Sequence, residues 1–246
     1  MELSDLDFAY PTHLVATEKV SESRVLVTRL FSTQSQDNSR PNPHDLHADF
    51  QELGQVRDLL GFFKPGDVLV INNTKVLARR MFSDTGFEIL FLRPVAGEDK
   101  NAMTYSEYWQ VLCPSSQWPK DTKMKLPEAI SVSLVARGRT QVVKVERDDI
   151  NHRSAEILTE EYFLKNADIP LPPYILKARN EKRARLKDFS DYQTHWAKQP
   201  GSLAAPTASL HFSRELLTAL REYGVMVLEM TLHVGLGTFF ANYNES

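Results

Sequence analysis

The amino-acid sequence predicts an α/β protein whose mixed core is interrupted by a small all-β module. Outside the module, strand-like and helical patterns alternate, which is typical of α/β domains. The strand-like runs cover residues 25–31, 68–72 and 225–234, and the helical patterns lie near residues 45–61 and 213–223. We therefore expect core segments at residues 1–83 and 166–246, with the module inserted at residues 84–165.

The β module is predicted from four short runs that either alternate or are continuously apolar. These runs are FEILFLR at residues 87–93, EYWQVLC at 107–113, ISVSLVA at 130–136 and TQVVKVE at 140–146. Clusters of Gly, Pro, Ser and Asp separate them, which is typical of turns between short strands. By contrast, residues 32–47 are polar and contain proline, so we expect a flexible surface loop there.

The best-defined helix and strand follow each other in residues 213–234. Apolar residues recur on one helical face, Ser213 can cap the first amides, and Gly224 can end the helix. The following strand is apolar on one face, whereas its other face turns polar at Glu229, Thr231 and His233. This pattern indicates a face that looks into a cavity, although an exposed edge strand would give the same pattern.

A candidate ligand site follows from this arrangement. In parallel α/β proteins, ligands bind beyond the carboxyl ends of strands and at helix N-termini, and residues 192–239 supply both. Gly235 and Gly237 allow the backbone to approach a ligand or to turn sharply. They lack the third glycine of a dinucleotide-binding fingerprint, so we do not expect a Rossmann domain.

Composition limits the class of protein. The 246 residues are 42% hydrophobic, which allows a sizeable core, and the net charge of −3 gives no global basic signature. The single cysteine, Cys113, excludes an internal disulfide framework and fits a reducing compartment. Residues 1–10 show no signal-peptide pattern, and no run approaches the ~18 apolar residues of a membrane span. We therefore expect a cytoplasmic protein without a membrane segment.

One local stretch is strongly basic. Within residues 177–187, Glu181 is the only acid among six cations, which are Lys177, Arg179, Lys182, Arg183, Arg185 and Lys187. Because phosphate contacts dominate affinity for nucleic acids, this density predicts contact with an RNA backbone. A solvated face or a disordered linker is the alternative interpretation.

Motifs along most of the chain resemble those of one known family. In order, they are PGDVLV at residues 65–70, PLPPYI at 170–175, YQT at 192–194, AAPTA at 204–208, LHF at 210–212, TLHVG at 231–235 and GTF at 237–239. Together they are similar to the motifs of the S-adenosylmethionine:tRNA ribosyltransferase-isomerases of queuosine biosynthesis. The resemblance is weakest between residues 84 and 165. It implies a distorted α/β barrel-like core domain with an inserted small antiparallel β-barrel domain.

The resemblance also implies a reaction. The ribosyl unit of S-adenosylmethionine, a co-substrate, passes to the aminomethyl group of a 7-deazaguanine base in the tRNA anticodon loop. It is rearranged there to an epoxycyclopentanediol, giving epoxyqueuosine and releasing adenine and methionine. No metal and no further cofactor are implied. A base must take the proton on the carbon beside the sulfonium, and the loss of adenine must be promoted.

These requirements single out candidate residues. His211 and His233 are candidate catalytic residues with interchangeable roles, because an imidazole with a pKa of ~6.5 accepts or returns a proton near neutrality. Candidate substrate-binding residues are Asn72, Thr74, Arg79, Tyr192, Thr207, Gly235, Gly237 and Thr238, and candidate tRNA-binding residues are Lys177, Arg179, Lys182, Arg183 and Arg185. Each also has a structural interpretation, such as a core aromatic residue or an ordinary turn.

Members of the family extend beyond the position that corresponds to Ser246, so the chain resembles a shortened relative. We expect a missing C-terminal segment or a partner chain to complete the core, because a truncated sheet leaves unpaired edges. The enzyme itself and a non-catalytic relative that binds tRNA or a nucleotide without turnover both remain open. A methyltransferase is disfavoured, because the sequence lacks a glycine-rich turn between strand and helix.

Overall fold

The computed structural model describes residues 11–20, 23–32, 46–96, 106–119, 122–147 and 156–238. The strands are β1 (Val25–Ser32), β2 (Leu46–Leu53), β3 (Val68–Asn72), β4 (Thr74–Val76), β5 (Arg80–Phe82), β6 (Glu88–Val95), β7 (Ser106–Leu112), β8 (Lys123–Leu126), β9 (Ile130–Ala136), β10 (Gln141–Arg147), β11 (Gln199–Ser202) and β12 (Met226–Met230). The α-helices are α1 (Glu160–Asn166), α2 (Pro173–Arg179), α3 (Asp188–Asp191) and α4 (Arg214–Glu222). None of these helices is long and apolar enough to cross a bilayer.

The four runs predicted for the β module all form strands of one antiparallel sheet, which also includes β5, just before the predicted start of the module at residue 84. Its six strands are ordered β5-β6-β7-β10-β9-β8, and the Asp84 amide after β5 donates to the Lys125 carbonyl in β8 over 3.0 Å. This bond brings the two edge strands together, so the sheet forms a nearly closed barrel. The interior is apolar, and helix α1 adds Phe163, whose ring lies 5.5 Å from both Phe91 and Trp109.

The first strand pair corrects one prediction. Strand β1 matches the run predicted at residues 25–31, but residues 46–53 form β2 rather than the predicted helix. The two strands pair antiparallel from Val25↔Leu53 to Ser32↔Leu46. Residues 46–51 alternate apolar and polar, and this period of two favours a strand. A 3₁₀ segment, Val56–Phe62, covers the rest of the predicted helix. The predicted loop lies outside the described residues at positions 33–45.

Two parallel strand pairs form the rest of the core. Strand β12 pairs with β3 from Met226↔Val68 to Met230↔Asn72, and β11 pairs with β4. Helix α4 begins after the Ser213 cap, as predicted, and packs beside β12. The fold class is therefore mixed α/β with an inserted antiparallel barrel.

The two faces of the β3–β12 pair differ from each other. Val225 is buried and Val227 packs against the same cluster as helix α4. The opposite face leaves a set of large apolar side chains between 46% and 60% exposed, which are Val68, Val70, Met226, Leu228, Met230 and Leu232. The apolar face predicted from the sequence is therefore the exposed one. The polar side of β12 lies on the same side as the core.

Candidate active site at the ends of the parallel strands

The polar residues predicted after two strands meet at one edge of the parallel pair. Strand β3 ends at Asn72 and β12 ends at Met230, and these two residues are paired in the ladder. The following segments, 73–74 and 231–234, therefore leave the same sheet edge. This is the edge at which parallel α/β proteins bind ligands.

The Asn72 side chain links the two segments by hydrogen bonds. Its side-chain amide donates to the Leu232 carbonyl over 2.8 Å, and its side-chain oxygen accepts from the amides of Leu232 and Thr74, each over 3.1 Å. Because its oxygen accepts two of these bonds and its nitrogen donates the third, the Asn72 side chain orients the two segments relative to each other.

A second network holds the polar face of β12. The Asn73 side chain donates to Glu229 over 3.1 Å and accepts from the Thr231 hydroxyl over 2.7 Å. Lys198 donates to Glu229 over 2.7 Å. The hydrogen bond from Lys198, and then that from Asn73, keep the pKa of Glu229 below its ordinary value. Glu229 is therefore held as a carboxylate that anchors the neighbouring loop.

The His233 imidazole is held by a buried hydroxyl pair. Thr74, which is fully buried, donates from Oγ1 to Ser202 Oγ over 2.8 Å and also lies 2.8 Å from His233 Nδ1. Ser202 Oγ in turn accepts from the Val234 amide over 2.8 Å. Because the Thr74 proton points to Ser202, Thr74 accepts from Nδ1–H of the imidazole. A neutral ring then carries its lone pair on Nε2.

Gly201 makes the room that this ring occupies. A Cβ atom built at Gly201 would lie 2.6 Å from Cε1 and 2.7 Å from both nitrogens of His233. The φ angle of Gly201 is +152°, a conformation that L side chains rarely adopt. The backbone of β11 therefore packs directly against the imidazole, and only glycine at position 201 leaves space for the ring.

His211 lies in different surroundings. Its Nδ1 is 2.6 Å from Ser23 Oγ, and the residue lines a cavity of about 620 Å³ beside the N-terminus of helix α4. Among the described residues, His233 is not part of that lining and shares no hydrogen-bond partner with His211. The two histidines predicted to act together therefore occupy two separate environments.

Two other candidate substrate-binding residues lie in packed interiors. Tyr192 is 6% exposed within an apolar cluster, and burial raises its pKa to about 12. Arg79 is 5% exposed, pairs with Glu160 and stacks over Phe163 with its guanidinium carbon 4.0 Å from the ring centroid. Both side chains support the packing of the core in this structure. Neither contacts the His233 network.

The remaining candidates are more open. Thr207 is exposed at the start of the 3₁₀ segment Thr207–His211. A Cβ atom at Gly235 or Gly237 would meet nothing within 4 Å, so neither glycine is required by close packing. Thr238 ends the short 3₁₀ segment Leu236–Thr238. Gly235 follows the His233 segment directly, whereas Thr207 lies in the segment that carries His211.

Most cations of the basic stretch are already paired with acids. Arg179 and Asp188 form a buried ion pair, Arg183 binds Asp168 through two nitrogens, and Arg185 binds Glu181 and Glu18. Lys187 lies 3.5 Å from Asp191. Among the described residues, no acid pairs with Lys177 or Lys182. The stretch is therefore less free to bind phosphates than its sequence indicates.

Sequence reasoning missed several residues that shape the site. Gly201 and Ser202 were not singled out, although a glycine after Pro200 is a signal for unusual backbone geometry. Gln193 belongs to a recognised motif, and its side chain bonds both the amide and the carbonyl of Val76, over 3.0 and 2.8 Å. Strand β4, which carries Thr74, is thus held by a side chain on one side and by β11 on the other.

Comparison with known proteins identifies the family to which the chain belongs. The model of a family described as queuosine biosynthesis protein matches residues 3–246. The chain belongs to the queuosine biosynthesis protein family. The resemblance drawn from the motifs is therefore confirmed.

Individual relatives carry a more specific name. Proteins called S-adenosylmethionine:tRNA ribosyltransferase-isomerase from Desulforamulus reducens and Pelotomaculum thermopropionicum are 35% and 36% identical to this chain, over 97% of its residues. The chain spans 62% of the length of these curated relatives. The solved S-adenosylmethionine tRNA ribosyltransferase from Thermotoga maritima is 22% identical, with a TM-score of 0.29 over 93% of this chain and 57% of that one.

Proposed function

We propose that this protein acts in queuosine biosynthesis as an S-adenosylmethionine:tRNA ribosyltransferase-isomerase. It would transfer and isomerise the ribosyl unit of S-adenosylmethionine onto 7-aminomethyl-7-deazaguanine in the tRNA anticodon loop. Family membership and the names of relatives 35% and 36% identical to it support this proposal. The observation that carries it is the His233 imidazole, held through Nδ1 by Thr74 at the end of the parallel strands.

In this proposal His233 is the proton acceptor. The sulfonium acidifies the protons on the adjacent ribosyl carbon, and Nε2 takes one of them. Thr74 accepts from Nδ1–H, so it keeps the ring oriented with Nε2 free to take the proton. The imidazolium can return its proton to the adenine that leaves. The reaction invokes neither a metal nor a further cofactor.

His211 receives a different place in the proposal. Its cavity lies at the N-terminus of helix α4, where Ser213 and Leu216 are part of the lining. Backbone amides and the helix dipole favour a carboxylate at such a position. The methionine carboxylate of the co-substrate fits this chemistry. His211 would then help to bind the co-substrate rather than to transfer the proton.

Adenine release tests the proposed function directly. The chain is incubated with S-adenosylmethionine and tRNA that carries the aminomethyl base, and free adenine and the mass of the modified nucleoside are measured. The expected result is adenine and epoxyqueuosine in equal amounts. Transfer of a methyl group, or binding of tRNA without release of adenine, would refute the proposal. The second result would identify a non-catalytic relative.

A further inference from the structure

A large cleft separates the barrel from the segment that carries the basic stretch. It has a volume of about 920 Å³. One wall consists of barrel residues that include Arg80, Phe87 and Leu112, and the other wall includes Lys177 and Lys182. The His233 network does not line it. The cleft is therefore a separate feature from the candidate active site.

The acids in the cleft are already neutralised. Glu88 receives two hydrogen bonds from Arg80, over 2.7 and 2.6 Å. Glu181 is paired with Arg185 over 2.8 Å, and this bond helps to keep the pKa of Glu181 below its ordinary value. No acid among the described residues pairs with Lys177 or Lys182, and both lysines are exposed. The unpaired charge of this wall is consequently positive.

Arg80 provides a second sign of a ligand. The residue is only 8% exposed, and its Nη1 atom has no hydrogen-bond partner in the described structure. Buried donors without a partner are unusual in folded proteins. An anionic oxygen that entered beside Arg80 would supply the missing acceptor. The unpaired lysines of one wall and the unsatisfied guanidinium donor on the other both favour a phosphate group.

The cleft lies within reach of the candidate active site. Arg80 follows Thr74, the partner of His233, by six positions. A fully extended segment of that length spans at most about 20 Å. Arg80 and Thr74 are therefore at most about 20 Å apart. An RNA strand that contacts the cleft and the candidate active site has to bridge only this distance.

We propose that this cleft binds the phosphodiester backbone of the tRNA while the modified base lies at His233. The inference rests on the proposed function, because it assumes that tRNA is the substrate. It also changes which cations carry the contact. Lys177 and Lys182 make it, whereas Arg179, Arg183 and Arg185 are held by acids and do not line the cleft.

The test is the salt dependence of tRNA binding. The variant with both Lys177→Gln and Lys182→Gln is compared with a variant that carries Lys123→Gln and Lys165→Gln, two exposed lysines outside the cleft. Both variants lose the same charge. Loss of two phosphate contacts should reduce the slope of log K against log salt concentration by about 1.4 to 1.8. The dissociation constant at low salt should rise about tenfold or more in the cleft variant only.

Alkylation of Cys113 gives a second measure of tRNA binding, and no cysteine has to be introduced for it. Cys113 is the only cysteine of the chain and lines the same cleft. Bound tRNA should slow alkylation of its thiol, and the double lysine variant should lose this protection at the same tRNA concentration. The lysines are exposed, so an unchanged melting temperature would show that the variant folds.

The outcomes separate this inference from the proposed function. If wild type and cleft variant show the same salt dependence of tRNA binding and adenine is still released, the cleft does not bind tRNA, whereas the proposed function is retained. A slope that falls in the cleft variant, together with tRNA protection of Cys113, would support the cleft. If tRNA then binds but no adenine appears, the proposed function fails while the RNA-binding surface remains.

Discussion

Replacing Gly201 with alanine should displace the His233 ring. The new Cβ atom would lie 2.6 Å from Cε1, whereas ordinary contacts begin at 3.4 Å. The ring must therefore retreat by about 0.8 Å if the backbone stays in place. Such a shift takes Nδ1 from 2.8 Å to as much as about 3.6 Å from Thr74 Oγ1, which is too far for a hydrogen bond.

The size of the effect follows from two costs. Loss of the hydrogen bond costs about 1 kcal/mol, and the backbone conformation at Gly201 adds about 1–3 kcal/mol for any residue with a side chain. The free energy of unfolding should therefore fall by about 2–4 kcal/mol. A displaced proton acceptor should lower the rate of adenine release by about a hundredfold.

Thermal unfolding of four proteins checks this reasoning. They are the wild type, Gly201→Ala, His233→Ala and the double variant. Without the imidazole, Gly201→Ala should retain only its backbone cost, so the two changes should couple by about 1 kcal/mol. Gly66→Ala is the matched control, because its φ angle is also positive, at +95°, and its Cβ would meet nothing within 4 Å. Full additivity, or wild-type stability of Gly201→Ala, would refute the proposed contact.

Three further predictions concern stability, reactivity and the exposed face. Burial would raise the pKa of Asp188, but hydrogen bonds led by that from Arg179 hold it below its ordinary value. The pair thus stabilises the fold above about pH 4 and loses this effect as the pH falls through the lowered pKa. In chemical denaturation at pH 7, Asp188→Asn should lower the free energy of unfolding by about 3–5 kcal/mol. It should also weaken the fall in stability between pH 4 and lower pH. An unchanged denaturation midpoint at pH 7 would contradict the ion pair. Burial raises the pKa of Cys113 to about 11, so only about one thiol in a thousand is ionised at pH 8. Its alkylation rate should rise tenfold per pH unit up to about pH 11, and a plateau near pH 8 would exclude this pKa. Met226→Glu with Leu228→Glu should reduce binding of a hydrophobic dye with little change in melting temperature, because both side chains are about half exposed. A large fall in melting temperature would show that these side chains are packed against other parts of the protein, and would contradict the exposed face.

Local patterns predicted the barrel strands well. The run at residues 130–136 corresponds to β9 from end to end, because alternation and flanking turns are encoded within a few residues. No such run predicts strands β5 and β8, because three and four residues are too few to define a period. The helix predicted near residues 45–61 is wrong over strand β2, where apolar and polar residues alternate with the period of a strand.

The candidate site was only partly predictable for a different reason. Thr74 and His233 were both singled out, but their contact joins residues 159 positions apart and depends on the pairing of β3 with β12. The basic stretch shows the opposite problem. Its cation density is visible in the sequence, whereas the burial of Arg179 against Asp188 depends on the fold. Charge density alone does not reveal which cations remain free.

The rate of adenine release in histidine variants tests the central claim most directly. With S-adenosylmethionine and tRNA carrying the aminomethyl base, His233→Gln should release adenine about 10² to 10⁴ times more slowly than the wild type at saturating substrates. His211→Gln should mainly raise the concentration of S-adenosylmethionine needed for half the maximal rate. A wild-type maximal rate for His233→Gln would contradict the assignment of His233 as the proton acceptor.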